Sequence, residues 1–298
     1  MVKMVLGGLQ TWSGGDMRPV VELAKRAEAA GIDGLVVTDH VVMGEHLEAY
    51  PYGPFPMGPE EPWFEPLICL ASIAAATTTL RLMTGILVAP LRPAVLLAKQ
   101  LATLDVMSGG RLEAGVGTGW QKEEYEACGV DFEDRFARLE DQVRVWRLLW
   151  SDEAPASYRS DYTSFERIWC RPAPVQAGGI PVWFGTAPLA RNVARMGELA
   201  DGWMPMEQDP AKLAEPIARI RAAVAAAGRD PGAFKVRAVL RVLERDGKAD
   251  LEASLAQAAD LVAAGVTHIE VRPSRFLDSP EGLEPLLARL VETREALS

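Results

Sequence analysis

The chain has 298 residues, of which 49% are apolar and 24% charged, and its formal net charge is −10. That is the balance of an ordinary globular protein, and no stretch reaches the ~18 uninterrupted apolar residues of a membrane helix. Scattered Lys and Arg argue against a nucleic-acid partner, and the N-terminal MVKMVLGGLQTW lacks the apolar region and cleavage site of a signal peptide, so a cytoplasmic location is expected.

Strand candidates alternate with helical patterns along the chain. MVLGGLQ precedes DMRPVVELAKRAEAAG, in which Val20, Val21, Ala24, Ala27 and Ala30 share a helical face, with Asp16 as N-cap and Gly31 at the C-terminal end. DGLVVTD is the second strand; a Pro/Gly-rich loop follows, then the helix FEPLICLASIAAAT. LRLMTGILVAP and PAVLLAKQLATLDVMSGG form the third pair. RLEAGVGTG is followed by a short helix and by RFARLEDQVRVWRLLW. Residues 151–179 break the rhythm with aromatics, turn residues and prolines, and read as a hairpin plus a connector. The alternation resumes with PVWFG and PLARNVARMGELA, DGWMPM and PAKLAEPIARIRAAVAAAG, FKVRAVLRVL and LEASLAQAADLVAAG, and THIEVRP with the last helix.

Eight such units predict an α/β protein with a (β/α)8 TIM barrel, a single domain over residues 1–298 with an insertion after the fourth unit. The rival, a doubly wound open sheet, wants a GxGxxG turn after the first strand, and GGLQTWSGGD lacks that spacing.

In a barrel, the C-terminal ends of the strands carry the active site. Asp39-His40, Thr84-Gly85, Thr118-Gly119 and Gly185-Thr186 all stand at such ends. His40 can exchange a proton near neutral pH, and Asp39 beside it can accept hydrogen bonds; a capping acid and a satisfied loop histidine are the bland alternative. GVGTGW lacks the Lys-Ser/Thr of a phosphate loop, so its glycines serve a close backbone approach to a flat ligand. Gly185, Thr186 and Ala187 stand at a helix N-terminus suited to an anion, with Arg191 about one turn in; a plain Thr186 cap is the alternative.

Trp12 and Trp120, after the first and fourth strands, are placed to wall a substrate pocket, whereas Trp146 and Trp150 read as packing residues. His268 reads as a packed histidine and His46 as an exposed one. Three scattered histidines make a metal site improbable, and Cys69, Cys128 and Cys170, far apart and outside any CxxC pattern, read as reduced thiols.

The blocks GGL…W, AEAAGIDGLVVTDH, the stretch from Arg81 to Gly129, RPAPVQ…PVWFG and ADGW together resemble the bacterial luciferase-like superfamily of flavin- or deazaflavin-dependent barrel oxidoreductases. The resemblance spans nearly the whole chain. It implies a ring cofactor across the barrel mouth, approached by Asp39 and by His40, the proton-transfer group. Thr84, Gly85 and Ile86 would match the third-strand bulge, which in the family often holds a non-proline cis peptide. Thr118 and Gly119 would line the ribityl side, Gly185, Thr186 and Ala187 would hold the phosphate, and residues 151–179 would form a substrate lid. The helices after the second and third strands would be a homodimer face.

A DH pair at that strand end looks most like the coenzyme F420-dependent branch, which implies hydride transfer to or from a small organic substrate. An FMN-dependent monooxygenase, with a separate reductase supplying reduced cofactor, is the alternative, and a non-catalytic flavin-binding protein a third. The F420-dependent sugar-phosphate dehydrogenases carry a tryptophan shortly after the DH pair and a glutamate right after GTG. Here those places read HVVMG and Trp120, which argues against a sugar phosphate. Trp12, Trp120, Phe55 and Trp63 suggest a flatter, less charged substrate instead.

Overall fold

The computed structural model describes residues 1–297. The strands are β1 (Lys3–Gly7), β2 (Gly34–Val37), β3 (Arg81–Thr84) with a short continuation β4 (Leu87–Val88), β5 (Leu112–Gly117), β6 (Ala156–Arg159), β7 (Ser164–Ile168), β8 (Val182–Phe184), β9 (Gly202–Trp203), β10 (Lys235–Val239), β11 (Leu243–Arg245), β12 (Lys248–Asp250) and β13 (His268–Val271). The parallel order β1-β2-β3-β5-β8-β9-β10-β13 closes back onto β1, with Val5 opposite Gly34, Leu82 opposite Leu112 and Lys3 opposite His268. The protein is a TIM barrel, as its eight strand–helix units require.

Alternation along each strand divides the apolar residues between two cores. Met4, Leu6, Leu35, Val37 and Leu82 face the helices, whereas their neighbours Val5, Val36 and Met83 join Trp183 and Met204 in a separate cluster. Among the covering helices are α1 (Arg18–Ala29), α2 (Pro66–Ala76), α3 (Ala94–Met107), α4 (Lys122–Ala127) and α5 (Arg135–Trp150). Trp146 and Trp150 stack at 5.9 Å, and their indole N–H groups donate to the carbonyls of Ala94 and Ala98, which ties α5 to α3.

Several local expectations are corrected. Met17, not Asp16, is the N-cap of α1; Asp16 instead accepts from the Arg18 N–H and pairs with its guanidinium. The third strand is not continuous, because it breaks at Gly85-Ile86 between β3 and β4. The seventh stops at Val239, and residues 243–250 form a hairpin turned by Asp246 and Gly247, both at positive φ.

The 151–179 excursion does contain a hairpin, β6–β7, but it packs on α5. The hydroxyls of Tyr158 and Thr163 both donate to the buried Asp141 carboxylate, and Arg138 lies over the Tyr162 ring. No contact among the described residues ties this hairpin to His40, so the expected lid role has no support from its packing.

His268 is buried, as expected, with its ring edge-on to Trp183 at 5.0 Å and Nδ1 within 2.8 Å of the Thr267 hydroxyl. Burial pushes its pKa down to about 4, against an opposing pull from Glu113. Because the unfolded imidazole titrates at ~6.5, the unfolded chain binds the extra proton between those values. This stability is therefore complete above pH ~6.5 and is lost as pH falls, by about 2 kcal/mol at pH 5. Urea unfolding at pH 7 and pH 5 should show this loss in the wild type and a smaller one in His268→Gln.

Candidate active site

β2 is a fully buried run that ends at Val37, and the next residues turn into the barrel mouth. Asp39 and His40 are only 4% and 9% exposed. Their side chains do different jobs. Asp39 is fully engaged: Oδ2 accepts from the Val88 backbone N–H and from Arg92, both at 2.8 Å, and Oδ1 accepts from Arg92 at 3.0 Å. Arg92 also donates to Glu65, whose other oxygen caps α2 at the Ile68 N–H. Asp39 thus clamps the end of β2 to β4 and to the start of α2, and has no oxygen left over for chemistry.

His40 faces a different partner. Its Nδ1 lies 3.3 Å from Oε2 of Glu124, a fully buried carboxylate on α4, and the other oxygen of Glu124 accepts from the Val41 N–H at 2.6 Å. With Nδ1 donating to this fixed acceptor, the neutral ring presents Nε2 as a base. The hydrogen-bond partner assigns that tautomer. Around the ring stand Trp63 at 4.6 Å, Phe55 at 5.9 Å and Trp120 at 6.1 Å, all edge-on. Tyr50 contacts both Phe55 and Trp120, so the loop after β2 folds over His40 as an aromatic cover.

The Gly85-Ile86 peptide is cis, as the resemblance implied. Ile86 fits into space that side chains on neighbouring strands would fill: a Cβ on Gly185 would lie 2.3 Å from its Cγ2, and one on Gly117 2.9 Å from its Cδ1. Thr84 is fully buried and spends its hydroxyl on the Gly115 carbonyl, so only its backbone is available to a ligand. Thr118 is buried, its carbonyl accepting from the Tyr125 hydroxyl, and Gly119 follows at φ 62°.

The α6 helix (Ala190–Leu199) starts four residues beyond Thr186, with Leu189 as N-cap, so Thr186 is not its cap. The Thr186 hydroxyl is buried without a partner, while Arg191 is exposed. Trp12 ends a short 3-10 turn after β1 and packs against the main core; it is not among the rings that contact His40. His46 is exposed beside Glu48 and Glu123.

Glu124, Arg92 and Glu65 were missed in the sequence. Only Glu124 left a signal there, as an acid in KEEYEA at the start of a helix that follows a strand end. Among the described residues no group of three or more His, Cys, Asp or Glu could hold a metal ion, and no helix is long and apolar enough to cross a membrane.

Residues 4–289 match the model of the luciferase-like monooxygenase family. The chain belongs to this family. Among its relatives, the uncharacterized protein Rv0953c of Mycobacterium tuberculosis is 32% identical over 211 residues, 70% of this chain and 74% of that one. An FMNH(2)-dependent dimethylsulfone monooxygenase of Pseudomonas fluorescens is 29% identical over 244 residues, 80% of this chain and 61% of its own length. An F420-dependent secondary alcohol dehydrogenase, solved with an F420–acetone adduct, shares the luciferase-like fold at a TM-score of 0.74 and 18% identity, covering 100% of this chain and 99% of that one.

Proposed function

We propose that this protein is an F420-dependent oxidoreductase acting on a small, flat, largely apolar organic substrate. The observation that carries the reading is His40, buried, held at Nδ1 by Glu124 and enclosed by aromatic rings. When bound, the deazaflavin supplies a hydride acceptor or donor. Nε2 of His40 then takes the substrate's hydroxyl proton on oxidation, or returns it on reduction. Glu124 keeps Nδ1 protonated so that Nε2 is free to act, and Trp63, Phe55 and Trp120 keep water from the reacting carbon. Asp39 holds the strand ends in place.

The mouth fits a ring cofactor with a phosphate. Gly85 and Ile86 would offer backbone and an apolar side chain to the ring, and Thr118 and Gly119 would line the ribityl side. The unpartnered Thr186 hydroxyl between Gly185 and Ala187 is a donor for the phosphate. Similarity to the dimethylsulfone monooxygenase favours a second reading, FMN-dependent monooxygenation with a separate reductase. Anaerobic turnover separates the two. Loss of F420 visible absorbance with an alcohol, without oxygen, is expected; activity seen only with reduced FMN and oxygen would overturn the lead.

We also propose a homodimer through α2 and α3. Ile68, Leu96 and Met107 on these helices are 70%, 51% and 58% exposed, along a cavity of ≈ 630 Å3 that begins at His40. Light scattering should give twice the chain mass, and Ile68→Asp with Leu96→Asp should give the monomer. A monomeric wild type would refute the interface.

A further inference from the structure

The top of the barrel interior holds charge that the reading above does not use. Glu270 on β13 is 1% exposed, and it bridges two arginines. Its Oε2 accepts from Arg237 Nη1 at 2.5 Å, and its Oε1 from Arg272 Nε at 2.9 Å. The three groups carry a net charge of +1. Arg237 is 5% exposed and keeps Nε buried without a partner. The Arg272 side chain is 40% exposed, and among the described residues neither of its terminal nitrogens meets a protein acceptor.

Two close approaches place the cluster. A Cβ on Gly85 would lie 2.9 Å from Arg237 Nη1, so the guanidinium packs against the Gly85-Ile86 peptide. Arg272 stands beside Gly8, just past the end of β1. The cluster therefore lies in the floor of the mouth whose wall is His40 and its rings.

We propose that Arg237 and Arg272, aligned by Glu270, form a subsite for a planar, delocalised oxyanion. Guanidinium forks match anions whose charge is spread over coplanar atoms, and a buried arginine donor without a partner gains most from such an acceptor. Glu270 neutralises one arginine and fixes both, which leaves one positive charge at the open side. Two sources offer this chemistry: the pyrimidinedione edge of a reduced flavin or deazaflavin, and a carboxylate or enolate of the substrate. The subsite rests on the barrel mouth being the ligand site, and not on which cofactor fills it.

The test is calorimetric titration of the cofactor-free protein with benzoate and with neutral, isosteric benzamide. The wild type should bind benzoate at least ~10-fold tighter, the scale of one charge-assisted hydrogen bond. Arg272→Met, at the exposed end of the cluster, should bring the two within ~3-fold, and Arg272→Lys should fall between. Equal binding by the wild type, or an unchanged ratio in Arg272→Met, overturns the subsite. Repeating the titration with FMN and F420, oxidised and reduced, finds the source. Displacement of benzoate by the reduced form alone identifies the ring, and benzoate binding beside either form identifies the substrate. If neither cofactor binds, the cofactor reading fails while the benzoate ratio still decides the subsite.

Discussion

His40→Ala should lower turnover about 100-fold or more while leaving cofactor affinity within ~3-fold of wild type, because general acid–base catalysis contributes ~10²–10⁴-fold. The separation follows from the geometry. His40 offers Nε2 to the mouth, but its contacts are Glu124 and three aromatic rings, none of them at the Gly185–Ala187 end. A companion variant tells catalysis from packing. Glu124→Gln keeps the shape and the Val41 hydrogen bond through its amide oxygen. It loses the charged acceptor that sets the tautomer, so its pH profile should shift while its stability changes little. Steady-state kinetics with a titration of each variant measures both quantities. Unchanged turnover in His40→Ala would remove His40 from the reaction.

Asp39→Ala should destabilise the fold by about 3–5 kcal/mol, the range for breaking one side of a buried ion pair. The Asp39 side chain is fully buried and that of Arg92 is 12% exposed, so the guanidinium cannot swing out to water without giving up Glu65. The Val88 N–H would also lose its acceptor. Asp39→Asn should cost less, since an amide oxygen can still accept from Val88. Urea unfolding of the two variants checks the order. A loss below 1 kcal/mol in Asp39→Ala would show that Asp39 is not the clamp described here.

These two predictions divide a pair that looked like one unit in the sequence. Spacing could place Asp39-His40 at a strand end, since DGLVVTDH runs from apolar to polar at the last turn of a buried strand. It could not assign their partners. Arg92 lies on the loop before α3 and Glu124 on α4, 53 and 84 residues away, and only barrel closure brings them in. The Arg237–Glu270 pair was hidden for a similar reason: a charged residue inside KVRAV or HIEV gives no local sign that a barrel interior will pair it. The eight strand–helix units were legible because period-2 and period-3.6 patterns alternate so regularly. The hairpin at 243–250 was readable from RDGK between two short runs, yet the apolar run of β10 masked it. The packing of the 151–179 insertion was hidden for another physical reason. Asp141 on α5 looks like an ordinary surface acid in the sequence, but it is buried, and it anchors the β6–β7 hairpin.

The proposed function requires the barrel mouth to bind a deazaflavin beside His40. The most direct measurement is a parallel fluorescence titration of the cofactor-free protein with F420 and with FMN. Tighter binding of F420 is the predicted result. Tighter binding of FMN would contradict it and make oxygen-dependent chemistry with a reductase partner the function to pursue.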